Sequence, residues 1–264
     1  MAFRIGLGQS CHPADGNAVE VVELFMQQAK QQSVDLLVFP ESLMTRYEKE
    51  LQSFLAEAEP LDGPFCQAVD ALAKRYGLWV VYTVNEAGPD PAHPYNTVVI
   101  TGADGIQRGC YRKTHLFDTD YTHESDRMTA GDALFQPVDT PFGRIGLGIC
   151  YDLRFPEVAR FAALHGAQLM IFPAAWVDGP LKAQHWKTLL AARAIENEMF
   201  VAGLSRPDAN CIGQSQVVGP TGEVLAEGGR GEELVVADID LGQIAPVRVA
   251  MPLLQHRRPE LYAQ

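Results

Sequence analysis

Cys150 is the residue of this chain whose position best suits nucleophilic chemistry. It lies in the segment GICYDLRFPE (148–157), directly after a short apolar run that predicts a strand. A thiol at the end of a strand can attack a carbonyl carbon, although most free cysteines are buried and inert. Pro156 is typical of the first turn of a helix, and a helix N-terminus lowers the pKa of a nearby thiol. Cys150 is therefore a candidate nucleophile, with an inert buried thiol as the alternative.

Two further ionisable residues follow apolar strand patterns. Glu41 directly follows VFP (38–40), where burial is expected to raise the pKa of its carboxyl toward the range of a general base. An acid in the first turn of a helix is the more ordinary interpretation of Glu41. Lys113 lies in YRKTHLF (111–117), where a solvated lysine at a strand end is the ordinary interpretation. Neither residue alone decides the function.

An internal repeat indicates which elements position these residues. The sequence RIGLG occurs at 4–8 and again at 144–148, an offset of 140 residues. Each copy is followed by apolar residues at helical spacing and then by a second apolar strand that ends in Phe-Pro. Each half therefore begins as strand, helix, strand. The apolar strands are continuous and do not alternate, which is typical of sheets that are covered on both faces.

The remaining pattern extends this α/β organisation to the whole chain. Helices are predicted at 67–76 and 185–198, strands at 78–84, 96–101 and 200–204, and a hairpin at 216–224. No linker composition separates the halves, so we expect one domain over residues 1–264, with residues 250–264 as a C-terminal tail. Two sheets between outer helices are the natural architecture. Glu41 and Cys150 then both lie at the carboxyl ends of strands, where open α/β sheets bind ligands.

Composition narrows the class of protein. The formal net charge of −12 argues against a nucleic-acid partner, and no apolar run is long enough to span a membrane. The five cysteines are odd in number and widely spaced, and the N-terminus lacks a signal-peptide pattern. We therefore expect free thiols in a reducing cytoplasm. Neither a CxxC nor an HExxH motif occurs, so no metal site and no cofactor are expected.

Three segments together resemble the signature motifs of the nitrilase superfamily of carbon–nitrogen hydrolases. They are FPE (39–41), YRKTHLFD (111–118) and GICYDLRFPE (148–157), and their order and spacing agree with that family. The segment HE (123–124) resembles the position of the family's second glutamate. The resemblance extends over residues 4–262. It implies a four-layer αββα sandwich with an internal pseudo-twofold repeat, and a homodimer or a larger homo-oligomer.

The resemblance also implies a role for each candidate residue. Cys150 is the nucleophile, Glu41 is the general base and acid, and Lys113 holds the oxyanion together with the backbone N–H of Tyr151. Glu124 holds Lys113 or the substrate, with an exposed acid as its ordinary alternative. These roles suit amide hydrolysis, in which a poor electrophile needs a strong nucleophile, stabilisation of charge on the carbonyl oxygen, and a proton for the leaving amine.

Later segments favour one branch of the superfamily. PAAW (173–176), the helical segment at 185–197 and QHRRPELY (255–262) look most like the deaminated glutathione amidases, with the ω-amidases of 2-oxo acids as close relatives. The expected small-molecule substrate is a linear carboxamide that carries a distant carboxylate.

Four residues near the nucleophile are candidates for binding that substrate. The substrate carboxylate could pair with Arg154, Lys182 or His185. Trp176 could form a wall of the pocket. An internal salt bridge from Arg154 to Asp152 or Glu157 is the alternative for that arginine.

Four other functions remain open from the sequence. A nitrilase or an N-carbamoyl amidohydrolase of the same superfamily would use the same triad on a different substrate. A papain-like hydrolase would pair Cys150 with His115, and a histidine would then control its pH profile. An inactive scaffold would keep the layered fold without turnover.

Overall fold

The computed structural model describes residues 2–11, 17–45, 55–120, 122–208 and 210–262. Its strands are β1 (Ala2–Gln9), β2 (Leu36–Val38), β3 (Trp79–Glu86), β4 (Tyr95–Thr101), β5 (Gln107–Arg112), β6 (Val138–Thr140), β7 (Gly143–Leu147), β8 (Leu169–Ala174), β9 (Phe200–Ser205), β10 (Gln216–Val218), β11 (Val224–Glu227) and β12 (Glu233–Asp240). Its helices are α1 (Ala18–Gln31), α2 (Pro64–Tyr76), α3 (Pro156–Leu164), α4 (Lys182–Asn197) and α5 (Ile244–Ala250), with 3₁₀ turns at Glu124–Asp126, Cys150–Arg154, Leu241–Gln243 and Pro259–Leu261. In the described ranges no helix is both long and apolar enough to cross a membrane.

The strands form two six-stranded sheets with equivalent strand order. The first sheet runs β12-β1-β2-β3-β4-β5 and the second runs β6-β7-β8-β9-β10-β11. In each sheet the second, third and fourth strands are parallel, and the strands on either side are antiparallel. The two RIGLG copies occupy equivalent strands, since Ile5 aligns with Leu36 and Ile145 aligns with Leu169. The predicted pseudo-twofold repeat is therefore confirmed.

The continuous apolar strands pack on both of their faces. In β8, Leu169 and Ile171 face the other sheet, whereas Met170 and Phe172 pack against α3 and α4. Successive side chains of a strand point to opposite faces, so one uninterrupted apolar run serves two layers. On the other sheet α1 and α2 take the equivalent place. The result is the four-layer αββα sandwich that the sequence predicts.

Glycines of the repeat allow a helix to approach the first strand of each half. A Cβ added at Gly146 would lie 2.8 Å from the Cβ of Ala162 on α3 and 2.8 Å from the sulfur of Met170. A Cβ added at Gly8 would lie 3.1 Å from the ring of Phe25 on α1. Both strands are therefore closely approached by a helix, and the contact in the second half is the tighter one.

Strand β12 joins the C-terminal part of the chain to the first sheet. Asp238 lies opposite Arg4 in the ladder, and their side chains form an ion pair at 2.8 Å. Beyond β12 and α5 the chain returns to the second half, where Leu254 packs against the cluster beneath α3 and α4. The N–H of Leu253 donates to Oε1 of Glu198 at 3.3 Å. The first sheet is thus completed by residues from the end of the chain.

Candidate active site

The three candidate catalytic side chains lie in one cavity of about 530 Å³. Glu41 follows β2, Lys113 follows β5 and Cys150 follows β7, so strands from both sheets contribute. Glu41 is 4% exposed and Lys113 is 2% exposed. Two charged groups this deeply buried are stable only when each is paired and hydrogen-bonded, and the site meets that requirement.

Glu41 accepts hydrogen bonds on both carboxylate oxygens. Its Oε1 accepts from Nζ of Lys113 at 3.0 Å and from Nδ2 of Asn96 at 2.7 Å, and its Oε2 accepts from the N–H of Ala175 at 2.7 Å. These donors fix the orientation of the carboxylate. Asn96 was not predicted from the sequence, although a polar residue next to the apolar run TVVI (97–100) of β4 was an available signal.

Lys113 bridges two carboxylates. Besides Glu41, its Nζ donates to both oxygens of Glu124, at 3.0 and 2.8 Å. Oε2 of Glu124 also accepts from the N–H of Phe117 at 2.6 Å. Glu124 is partly buried by these contacts and is not a freely solvated acid. The ammonium group is therefore held between two anions, at the cavity that also contains Cys150.

The cluster determines the charge of Glu41. Burial by itself would raise the pKa of this carboxyl, but the Lys113 cation, the Ala175 N–H and the Cys150 thiol together lower the pKa. The sequence-based expectation of a raised pKa was wrong, because it considered burial without the cation. Burial would likewise lower the pKa of Lys113, yet Glu41 and Glu124 raise that pKa well above its ordinary value. The free protein therefore holds a carboxylate beside an ammonium.

Cys150 remains a thiol in the free protein. Burial raises its pKa well above 9.0, the Glu41 carboxylate raises it further, and Lys113 opposes this shift. The expected lowering of the pKa by a helix N-terminus was wrong, because the 3₁₀ turn Cys150–Arg154 separates the thiol from the start of α3 at Pro156. A thiol beside an ionised carboxylate can transfer its proton as the sulfur attacks.

The loops that carry Glu41 and Cys150 both contain a non-glycine residue in the left-handed conformation. Cys150 has φ 46° and Ser42 has φ 56°. Such conformations cost about 1–3 kcal/mol each and persist where the surroundings hold them. In the Cys150 loop, Asp152 accepts a hydrogen bond from the N–H of Ile149 at 2.8 Å. In the Glu41 loop, Nη1 of the buried Arg206 donates to the Ser42 carbonyl at 2.8 Å.

His115 lies behind the Cys150 turn and binds Asp152. Its Nδ1 is 2.7 Å from Oδ1 of the carboxylate, and its ring stacks on Phe155 at a centroid distance of 3.8 Å. Neither His115 nor Asp152 is among the residues that line the cavity. This arrangement does not provide the Cys150–His115 pair that a papain-like mechanism requires.

Two of the proposed substrate-binding cations line the cavity. The Arg154 guanidinium lies 4.6 Å from the ring centre of Trp176, and Nζ of Lys182 lies 5.2 Å from that of Phe117. Among the described residues Arg154 forms no ion pair with Asp152 or with Glu157. Burial and the neighbouring Arg154 lower the pKa of Lys182, which shows that the two cations repel each other.

Of the remaining candidate residues, some line the cavity and one does not. Trp176 and Tyr151 line the cavity, and the Trp176 indole N–H donates to the Lys182 carbonyl at 3.0 Å. His185 does not line the cavity, so the structure does not bring it together with the other candidates. It is exposed on α4, because Trp186 and Leu190 occupy the buried side of this helix.

The cavity has a further wall, of which only a part was predicted from the sequence. The segment 122–128 contributes most of its residues to the lining, including His123 and the exposed Arg127. Glu124 was predicted as a site residue from its HE motif, but the rest of this polar segment has no pattern that distinguishes it from an ordinary surface loop. Across the described ranges, no group of three or more His, Cys, Asp or Glu residues is placed to hold a metal ion. The five cysteines are all free thiols.

Known proteins resemble this chain over nearly its whole length. Residues 5–249 match the carbon–nitrogen hydrolase family. The chain is 37% identical over 252 residues to human omega-amidase NIT2, which covers 90% of this chain and 88% of that protein. It is 34% identical over 239 residues to the deaminated glutathione amidase of Escherichia coli O157:H7, which covers 90% of each. It spans only 56% of the Caenorhabditis elegans nitrilase and fragile histidine triad fusion protein NitFhit, at 36% identity.

The fold agrees with that of a solved relative. The crystal structure of Saccharomyces cerevisiae Nit3, a member of branch 10 of the nitrilase superfamily, superposes with a TM-score of 0.86. The two chains are 31% identical, and the match covers 97% of each. Sequence, layered fold and the family match therefore agree, and the chain belongs to the carbon–nitrogen hydrolase family of the nitrilase superfamily.

Proposed function

We propose that this enzyme hydrolyses the C–N bond of a linear carboxamide through a thioester on Cys150. The proposal rests on the ionised, buried Glu41 beside the Cys150 thiol. As the sulfur attacks the carbonyl carbon, Glu41 accepts the thiol proton, so no histidine is needed. Lys113 and the backbone N–H of Tyr151 stabilise the negative charge that develops on the carbonyl oxygen.

Glu41 completes both halves of the reaction. It gives its proton to the leaving nitrogen, the C–N bond breaks, and the acyl group remains on the sulfur of Cys150. Water then attacks the thioester while Glu41 accepts one of its protons. The C–S bond breaks, the carboxylic acid leaves, and the sulfur regains its proton from Glu41. Glu124 positions Lys113 through two hydrogen bonds and transfers no proton.

We propose further that the substrate carries a carboxylate, which Arg154 and Lys182 bind. Both cations line the cavity, and neither has a carboxylate partner among the described residues. A substrate anion between them would relieve their mutual repulsion. Such an anion needs a local cation, since the formal net charge of the protein is −12. Trp176 and Phe117 form the apolar surfaces on which the two cations rest.

Two substrates meet this description, an ω-amide of a 2-oxo acid and deaminated glutathione. The relatives named omega-amidase and deaminated glutathione amidase support this choice. The two reactions release different products. A primary ω-amide releases ammonia, whereas deaminated glutathione has a secondary amide and releases the amine portion of the molecule. The leaving group must therefore be identified by its own measurement.

A substrate panel tests the proposed function. It contains a 2-oxo-acid ω-amide, deaminated glutathione, a nitrile and an N-carbamoyl amino acid, with ammonia and the released amine both quantified. We expect the highest kcat/KM for one of the two carboxylate-bearing amides, and complete loss of turnover in Cys150→Ala. Cys110→Ala is the matched control, because this exposed thiol does not line the cavity. A preference for the nitrile, or about a tenth of the activity in Cys150→Ala, contradicts the proposal.

We also propose that the enzyme works as a homodimer or a larger homo-oligomer in the cytoplasm. Apolar side chains near the C-terminus are exposed in the single chain, including Val249 at 82% and Leu261 at 62%. Exposed apolar side chains of this kind are expected to be covered where two subunits meet. A reducing compartment suits a reaction that depends on a free thiol.

A further inference from the structure

Asp152 is a fully buried carboxylate that the proposed reaction does not use. It is 0% exposed, and it does not line the cavity. Its Oδ1 is bound by Nδ1 of His115 at 2.7 Å, and its Oδ2 accepts from the hydroxyl of Tyr111 at 2.8 Å. A buried carboxylate is costly unless donors satisfy it. Because this buried carboxylate lies two residues from the nucleophile, its contacts with the backbone around Cys150 are of interest.

The carboxylate is bonded to the backbone that carries the nucleophile. Oδ2 of Asp152 accepts from the N–H of Ile149 at 2.8 Å, and the N–H of Asp152 donates to the Ile149 carbonyl at 2.9 Å. Together these two bonds close a ring around Cys150 and Tyr151, the two residues between Ile149 and Asp152. Cys150 has a φ of 46°, which an L-residue adopts only when its surroundings hold it there. Asp152 therefore holds the backbone conformation that directs the thiol.

His115 is the group that orients Asp152. We assign the donor role to Nδ1 of the imidazole, because a carboxylate oxygen accepts hydrogen bonds. The backbone N–H of His115 also reaches Oδ1, at 3.3 Å, and the parallel stacking on Phe155 fixes the plane of the ring. The side chain is 31% exposed, so its other edge is near solvent while Nδ1 faces the buried carboxylate. The histidine is thus connected to the backbone beside Cys150 through one intervening carboxylate.

We propose that His115 and Asp152 form a positioning pair: His115 fixes the Asp152 carboxylate, and Asp152 holds the turn that aims the Cys150 thiol at Glu41. The pair rests on the proposed function in that it takes Cys150 as the nucleophile. Neither residue touches substrate or transfers a proton. Loss of the His115 donor leaves Oδ1 without its main partner, and the carboxylate can then rotate away from Ile149.

Replacing His115 with Asn or with Gln distinguishes a positioning role of its Nδ1 donor from simple filling of space by the ring. The side-chain nitrogen of Asn occupies roughly the place of Nδ1, whereas that of Gln occupies roughly the place of Nε2. We therefore expect His115→Asn to keep most of the activity, and His115→Gln and His115→Ala to lower kcat by about 10- to 100-fold, the effect of a misplaced reacting group. KM should change by less than about twofold, since the cavity wall is untouched.

The exposed pair of His93 and Asp90 supplies the matched control. It has the same Nδ1–carboxylate distance, 2.7 Å, and its histidine does not line the cavity. His93→Ala should therefore leave kcat unchanged. The second readout is the rate at which iodoacetamide alkylates Cys150, which needs no substrate and so remains informative if the substrate proposal fails. We expect this rate to fall in His115→Gln and to recover in His115→Asn.

Four results would overturn the positioning pair. Equal kcat and equal alkylation rates in His115→Gln and wild type would show that the turn holds without the histidine. A rise in KM as large as the fall in kcat would assign His115 to substrate binding. If His115→Asn is as inactive as Cys150→Ala, the histidine itself transfers the proton. Asp152→Asn provides a second route, since a variant with wild-type kcat and alkylation rate would exclude the carboxylate from positioning.

Discussion

Glu41 is ionised because a cation and two neutral donors outweigh its burial, and this sets the pH range in which it can accept a proton. Its pKa lies below the ordinary 4.5, and the pKa of Cys150 lies well above 9.0. Between these values the carboxylate and the thiol are both in the forms that the reaction needs. As the pH falls through the pKa of Glu41, the base becomes protonated and the activity is lost.

We therefore expect kcat/KM to be flat from about pH 5.5 to about pH 8, measured with a neutral aliphatic amide that does not titrate. A reaction that depends on a histidine base would instead lose activity on acidification through about pH 6.5, the ordinary range of an imidazole. Folding is followed by circular dichroism over the same range, so that acid unfolding is not mistaken for titration. An acidic limb near pH 6.5 in a folded enzyme would contradict the assignment of Glu41 as the base.

Arg154 and Lys182 should affect binding of an acidic substrate and not the chemistry. Arg154→Met or Lys182→Met removes a charged hydrogen bond worth about 1.5–3 kcal/mol, so KM for a carboxylate-bearing amide should rise about 10- to 100-fold. KM for a neutral aliphatic amide should be nearly unchanged. His185→Met is the control, because His185 is exposed and does not line the cavity. Equal losses on both substrates would assign the cations to structure.

At the level of elements, strand β7, which leads into the nucleophile turn, is in close contact with α3. Gly146→Ala places a methyl group 2.8 Å from the Cβ of Ala162, which cannot move away unless α3 moves. Overpacking of this kind costs about 1–3 kcal/mol in the free energy of unfolding. Urea unfolding should show this loss in Gly146→Ala.

Gly231→Ala is the matched control for this packing prediction. A Cβ at Gly231 meets nothing within 4 Å, so the stability of this variant should stay within about 0.5 kcal/mol of wild type. A Gly146→Ala protein as stable as the control would mean that α3 can shift without cost. The glycine of the repeat would then have no packing role.

At the level of the whole molecule, the proposed oligomer covers apolar side chains near the C-terminus. Met251 and Tyr262 are exposed there together with Val249 and Leu261. Sedimentation should show a dimer or larger assembly at micromolar concentration, and Val249→Asp should shift it toward the monomer. Ile106→Asp is the control, since Ile106 is an exposed apolar residue in the β4–β5 turn. A stable wild-type monomer at that concentration contradicts the proposed assembly.

The repeat, the αββα layers and the grouping of Glu41, Lys113 and Cys150 could all be predicted from the sequence. The fold could be predicted because continuous apolar strands must be covered on both faces, and because the two RIGLG copies introduce the same strand order. The triad could be predicted because its residues lie in specific motifs in a specific order. Helix starts were less accurate: α2 begins at Pro64, because proline is tolerated in the first turn.

Only the tertiary structure decided the charge states of the buried groups and the positions of His115 and His185 relative to the cavity. Lys113 is 72 residues from Glu41 in the chain and Ala175 is 134 residues away, yet both donate to its carboxylate and lower its pKa. A pKa depends on distances between such groups, and local sequence does not contain those distances. For the same reason His115 binds Asp152 instead of Cys150, and His185 lies outside the cavity.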